Sequence, residues 1–251
     1  PRLHQLSLLS RIRDIDHFSG LVSGIGRVMP MPIEAIGVPR AMTNGQFQSN
    51  SIVRSEDIDT TAVDRYRQKI SQVMKWHGKQ RFLHKHTGFA RLEYLSAVDE
   101  TGHFVEVVRD GRAVAYSLLR VPWWSGTLDS WWWGKMPAKY EDEYLRSDRD
   151  PLILAGIVWK RLLDLSTEEL QDFDNEKVMT ITYSDFVAAP MEWLEKICGH
   201  AEINYSDVFI RRASRFSIRN ADDSWKKDLE RQQINMLEES LGSHLEKYGF
   251  L

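Results

Sequence analysis

Apolar residues Leu3, Leu6, Leu9 and Ile12 recur at helical spacing, so the sequence is expected to open directly in an amphipathic helix. Between Asp16 and Ser55 that periodicity gives way to Gly, Pro, Met and Asn, which predicts irregular structure or broken helices. Over residues 60–76 it returns: Val63, Tyr66, Ile70, Val73 and Met74 share one face, with an N-cap near Asp59 or Thr60. Residues 80–84 read as a short strand running into the Lys85-His86-Thr87-Gly88 turn, and a helix follows through Val98 with Phe89, Leu92 and Leu95 facing inward. Residues 103–108 (HFVEVV) form a β-branched apolar run that reads as a buried strand. It stops at Arg109-Asp110-Gly111, where a helical pattern begins.

That strand, tight turn and helix start make the most informative junction in the chain. In an α/β protein it places backbone N–H groups and the positive end of a helix dipole at the carboxyl edge of the sheet, where anions bind. Arg109 falls at the strand end and Ser117 about two helical turns into the next helix. Ala113, one turn before Ser117 on the same face, is small enough to leave room for a group approaching the hydroxyl. A guanidinium fork and a hydroxyl together suit a phosphate.

Beyond Ser117 the helix is expected to end near Pro122, and five tryptophans follow in VPWWSGTLDSWWWGKMP: Trp123, Trp124, Trp131, Trp132 and Trp133. Two readings of this segment stay open, a long connection packing its rings onto the domain and an acceptor-side lid whose indoles stack on sugars or phenols. A further helix is expected to begin around Tyr140 or Pro151. Residues 150–164 read as a core helix with Pro151 in its first turn and a stripe of Ile153, Ile157 and Leu163. Residues 177–183 (KVMTITY) read as a strand, and Ala189-Pro190 starts a helix to about His200. Residues 209–224 read as a basic loop carrying Arg211, Arg212, Arg215 and Arg219, and a last helix runs to a Tyr248-Gly249-Phe250 close.

Composition narrows the class. The 251 residues, 42% hydrophobic and 27% charged, suffice for one large α/β domain. A formal net charge of −3 argues against a nucleic-acid partner and leaves a local basic pocket as the place for an anionic ligand. The single cysteine, Cys198, sits among Trp193, Leu194 and Ile197 and reads as a small buried hydrophobe. No apolar run reaches the length of a membrane span, and a cytoplasmic enzyme is the expectation; no symmetric patch or heptad indicates an oligomeric state. The candidate residues include no metal ligands.

The segment VVRDGRAVAYSLL resembles the 3′-phosphate-binding segment of the sulfotransferases that use 3′-phosphoadenosine 5′-phosphosulfate (PAPS). Arg109 and Ser117 stand at the family's eight-residue spacing, Lys85 in LHKHTGF matches its upstream lysine, and ITYSDFVAAPMEWLEKIC matches a later signature whose tyrosine, here Tyr183, contacts adenine. The similarity runs from about Gln80 to the C-terminus, including a Trp-Lys-x-x-Leu segment. The resemblance implies a three-layer, P-loop-like α/β domain over residues 1–251, with a central parallel sheet and helices on both faces. It implies sulfuryl transfer from PAPS to a hydroxyl or amine on a small-molecule or glycan acceptor, with PAP (3′-phosphoadenosine 5′-phosphate) as product. Arg109, Ser117 and Tyr183 would hold the nucleotide and Lys85 would stabilise the transition state. His86 and His17 are candidate bases, although His86 follows Lys85 immediately where cytosolic members place a His two residues on; Glu34 also lies in the acceptor-lining region. Ser217, Arg219, Lys226 and Lys227 would come from a loop folding over the phosphates.

The same family carries a Pro-Arg-Ser-Gly-Thr-Thr-like loop for the 5′-phosphosulfate. Pro1-Arg2 matches its first two residues and the rest is absent, so the N-terminal strand and phosphosulfate loop are expected to be missing and transfer by this exact chain to be slow. One alternative is therefore a catalytically weakened PAP-binding domain. The other, a nucleotide kinase-like phosphotransferase, is disfavoured by the lack of a G-x-x-x-x-G-K-[ST] loop.

Overall fold

In the computed structural model, the described residues are 53–86, 88, 90–171, 173–218, 220 and 223–251. The described residues fall into two compact units, one from residue 53 to 86 and the other from residue 88 to 251.

In the first unit, a 3-10 turn at Ser55–Asp57 leads into helix α1, Thr60–His77. The Asp59 carboxylate caps it by accepting from the N–H groups of Thr61 (2.9 Å) and Ala62 (3.2 Å). Gly78, at φ +60°, ends it in the left-handed conformation that a residue with a Cβ adopts only with strain. Ala62, Val63 and Tyr66 are its buried positions. Residues 81–86, expected to include a strand, are irregular, and Leu83 is almost fully exposed. A strand is held by a partner and a packed face, and this run pairs with no described strand. It is anchored instead by His84, whose Nδ1 lies 3.0 Å from the Tyr66 hydroxyl.

The second unit contains α2 (Leu92–Val98), β1 (Phe104–Val108), α3 (Gly111–Leu118), α4 (Ala138–Arg146), α5 (Pro151–Gln171), β2 (Val178–Thr182), α6 (Tyr183–Ala188), α7 (Pro190–His200), α8 (Asp207–Ala213), α9 (Trp225–Asp228) and α10 (Arg231–Lys247). The fold is thus a helix-dominated α/β arrangement with a small parallel sheet. Among the described residues the sheet has two strands, paired in parallel from Phe104↔Val178 to Val108↔Thr182. Parallel strands need a long crossover, and α3, α4 and α5 supply it. Strand β1 is only half-buried: Val108 is inside, and Val107 is mostly in solvent. His200 clasps the other end of the pair, its Nε2 donating to the carbonyl oxygens of Phe104 (3.0 Å) and Lys177 (3.2 Å).

Helix α5 is the axis of the core. Its sequence is apolar on nearly every face from Leu152 to Trp159, wider than the expected stripe, and a helix of that kind must be surrounded. It packs with α3, α4 and α10, whose Leu237, Leu241 and Leu245 are fully buried. Gly156 sets the approach of α10, since a Cβ there would come within 3.1 Å of the Leu241 side chain. The helix continues to Gln171, past the expected end at Asp164.

Polar side chains tie these helices together. Buried Lys160 donates to both carboxylate oxygens of Glu143 (2.7 and 2.6 Å) and to the Ser240 carbonyl (2.9 Å), joining α4, α5 and α10. Burial pulls its pKa down and Glu143 opposes that pull. Glu169 accepts from the Leu92 N–H at 2.8 Å, fixing α2 to α5. Cys198 is a buried free thiol whose pKa burial raises, as expected of a packing residue. Among the described residues, no helix is long and apolar enough to cross a membrane.

Candidate functional site

The junction after β1 is built from below by Trp159. Its Nε1 donates to the Arg109 carbonyl at 3.0 Å, and its ring lies so close to Gly111 that a Cβ there would sit 2.5 Å from Cε3. Asp110 caps α3 by accepting from the Arg112 N–H at 2.8 Å. The turn is therefore held on both sides, and the direction in which the Arg109 side chain leaves the strand is set by packed groups.

Register then brings two of the expected residues together. Because Val108 pairs with Thr182, both strands end at the same level, and the residues that follow are Arg109 and Tyr183. The guanidinium carbon of Arg109 lies 5.0 Å from the centroid of the Tyr183 ring, a cation–π contact. Both side chains are half-buried. Tyr183 is the first residue of α6 rather than the last of a strand, because Thr182 caps that helix: its hydroxyl accepts from the Asp185 N–H (3.1 Å) and donates to the Asp185 carboxylate (2.7 Å). Ser117, near the end of α3, is exposed.

The space expected beside Ala113 is filled. Ala113 is buried against Trp225 and Ile234, so the C-terminal segment covers that part of α3. The same tryptophan carries the guanidinium of Arg112 over its ring at 4.7 Å. Arg112, which no local pattern distinguished, is buried and saturated: it donates to Asp110 (2.9 Å), to Glu238 (2.6 Å) and to the Phe250 carbonyl (2.8 Å). Burial acts against its charge, and the bonds to Asp110 and Glu238 outweigh it and raise its pKa. A second network follows on the exposed side of α3, where Arg120 donates to the Tyr116 hydroxyl at 2.6 Å and that hydroxyl donates to Asp228.

The remaining candidates lie on other segments of the chain. Lys85 and His86 stand in the irregular segment of the first unit, Lys85 exposed and the His86 ring edge-on to His84 at 5.8 Å; burial lowers the pKa of His84. His17, Glu34, Pro1-Arg2 and Arg219 lie outside the described residues. Ser217 and Lys227 are exposed, and Lys226 forms an ion pair with Asp223 at 2.6 Å. The expected basic loop begins instead as helix α8, because Ser206 accepts from the Phe209 N–H and caps it.

The packing reading of the tryptophan segment holds for three of its rings, and two stay exposed. Helix α3 stops at Leu118, and in the connection that follows Trp124 and Trp133 are buried in the core, with Trp131 packed against it. Trp123 and Trp132 are exposed and stacked on each other, centroids 5.0 Å apart and planes 22° apart.

A cleft of about 340 Å³ lies elsewhere, lined by residues of α4, α5 and α10 that include Lys139, Asp164, Glu168, His244 and Lys247. Its charges are largely spent on one another: Asp164 accepts from Tyr140 (2.6 Å), Lys139 (2.9 Å) and His244 (2.9 Å), and Lys247 donates to Thr167 (2.9 Å). Its position on the scaffold and its internal pairing make it a weaker candidate than the β1–α3 turn. Among the described residues no group of His, Cys, Asp and Glu is arranged to hold a metal ion.

Compared with known proteins, the chain matches the model of the sulfotransferase family over residues 34–207, a span that takes in Lys85, His86, Arg109, Ser117 and Tyr183. No curated protein and no solved structure matches it.

Proposed function

The chain belongs to the sulfotransferase family, and we propose that it moves a sulfuryl group from PAPS to a hydroxyl or amine acceptor. In that reaction the bond from sulfur to the 5′-phosphate oxygen breaks, leaving PAP, while a bond from sulfur to the acceptor oxygen or nitrogen forms, and the acceptor proton leaves to a base. Arg109 and Ser117 hold the 3′-phosphate and Tyr183 contacts the adenine. Lys85 offsets the charge that builds on the bridging and sulfuryl oxygens. His86 and His17 are the candidate bases, without preference. This reading treats residues 1–251 as one sulfotransferase domain, with β1 and β2 as part of a three-layer sheet covered by helices on both faces.

The observation that carries it is the pairing of Val108 with Thr182, which sets Arg109 over the ring of Tyr183 at the carboxyl edge of the sheet. A cation and an aromatic face side by side there suit a phosphorylated nucleoside better than an acceptor of either chemistry alone.

Transfer of labelled sulfate from PAPS to a panel of sugars, phenols, sterols and tyrosyl peptides, alongside calorimetry with PAP, tests the proposal. Transfer to any acceptor together with PAP binding supports it. PAP binding without transfer would leave a nucleotide-binding domain of weakened activity, and failure to bind PAP would remove the nucleotide from the site.

A further inference from the structure

Trp123 and Trp132 stand apart from the other tryptophans of their loop. Trp124 and Trp133 are 8% exposed and contact each other at 6.0 Å, whereas Trp123 and Trp132 are 47% and 46% exposed. The loop that displays them is fixed: Trp131 donates from Nε1 to the Gly134 carbonyl at 2.6 Å, Ser130 donates to the Thr127 carbonyl at 2.8 Å, and Gly126 backs against Pro151 so closely that a Cβ would sit 2.7 Å from it. Two stacked indoles on a rigid loop are a standing aromatic surface, not a consequence of slack chain. Trp132 lies stacked on Trp123 and is still 46% exposed.

Polar groups of the same loop accompany it. Ser125, Thr127 and Asp129 are exposed and linked, with hydroxyl to hydroxyl at 2.9 Å and Thr127 to the Asp129 carboxylate at 3.4 Å. We infer that Trp123 and Trp132 form a platform for a pyranose ring, so that the acceptor is a glycan. The C–H face of a sugar ring stacks on an open indole while its hydroxyls need acceptors and donors at the rim. A phenol or sterol calls for an enclosed apolar pocket, and here the two indoles are exposed on a loop that also carries exposed hydroxyls and a carboxylate. The platform starts six residues after Ser117 on the same chain segment. Its part in choosing the acceptor rests on the sulfotransferase reading; its binding of sugar does not.

The test is an array of defined oligosaccharides probed with the full chain, followed by titration of the strongest binder through tryptophan fluorescence. Binding of at least one oligosaccharide is expected, weakened about tenfold or more in Trp132→Ala, a loss of the size that stacking on an aromatic ring supplies. Trp132→Phe should recover part of the affinity, and both variants should keep the wild-type PAP affinity and melting temperature. No binding to any oligosaccharide, or equal binding by Trp132→Ala, overturns the inference. So does binding of phenols or sterols without sugars, or self-association that Trp132→Ala abolishes while sugars do not bind. If wild-type protein binds the sugar and not PAP, the platform stands and the sulfotransferase reading falls.

Discussion

Arg109 and Arg112 stand three positions apart on one turn, and the protein puts them to opposite uses. Arg112 points into the scaffold, where two carboxylates, a carbonyl and an indole face occupy its donors and its plane. Arg109 leaves the strand end half-buried, laid across the ring of Tyr183. The difference follows from the turn. Asp110 caps α3 and in the same act recruits the side chain two residues later, while Trp159 holds the Arg109 carbonyl from beneath and leaves its side chain at the sheet edge. A buried guanidinium surrounded by its own carboxylates organises chain, and one lying on an aromatic face at the carboxyl end of parallel strands is suited to meeting an anion.

The largest effect should come from breaking the scaffold side. Arg112→Ala leaves the Asp110 and Glu238 carboxylates without their cation in a buried setting, and removing one partner of such a network costs about 3–5 kcal/mol. Urea unfolding should show that loss as a lower midpoint. A loss under about 1 kcal/mol would mean that the network does not organise the fold and that the two arginines differ less than their geometry says.

Arg109→Ala should behave in the reverse way. PAP affinity should fall by roughly 1.5–3 kcal/mol, the range for a hydrogen bond to a charged group, while the urea midpoint stays at the wild-type value. Adenosine 5′-phosphosulfate, which lacks the 3′-phosphate, should bind the variant and the wild type alike. Calorimetry returning wild-type PAP affinity would take Arg109 out of the site, and equal losses for both ligands would point to a disturbed fold.

The contrast between the arginines also marks what the sequence makes legible. The β-branched run at 104–108, the helix start after Arg109-Asp110-Gly111, the strand ahead of Tyr183 and the proline that starts α7 all depend on neighbours within a few residues, and all stand near their expected places. So do the positions of Arg109 and Tyr183, whose meeting needs only that the two strands be parallel and in register. The role of Arg112 depends on Glu238, 126 residues on, and Phe250, 138 residues on, which no local period encodes. Trp225 covering Ala113 is invisible for the same reason. The strand expected before Lys85 failed because alternation alone does not make one: among the described residues Phe82 and Leu83 find no partner strand, and both are exposed. Within the tryptophan loop, only burial separates the rings that pack from the rings that face outward.

Acid should act on the scaffold. Burial pushes the Asp164 carboxyl upward, but bonds from Tyr140, His244 and Lys139 outweigh it and hold the pKa down to about 2. A depressed folded-state pKa means that the stabilisation is complete above the unfolded value near 4 and is lost as pH falls through about 2. Its size is about 1–2 kcal/mol, with part of the carboxyl open to solvent. Unfolding measured from pH 5 down to pH 2 should show this loss, and Asp164→Asn should flatten the curve. A profile unchanged in the variant would mean that other carboxylates carry the acid sensitivity.

The smallest effect is expected at Ser117, and it tests whether the ligand edge acts as one unit. The hydroxyl is exposed, so its bond to a phosphate competes with water and should contribute about 0.5–1.5 kcal/mol to PAP binding. Ser117→Ala removes no packing, since its side chain is exposed while Gly111, Arg112, Ala113 and Ala115 are the buried residues of α3, and stability should be unchanged. The informative measurement is the cycle with Arg109→Ala. If one phosphate engages both side chains, losing the guanidinium lets that phosphate shift, and the serine loses part of its effect; the two losses then differ from their sum by more than about 0.5 kcal/mol. If they add within that margin, Arg109 and Ser117 do not share a phosphate, and the eight-residue spacing on which the 3′-phosphate assignment rests carries no chemistry here.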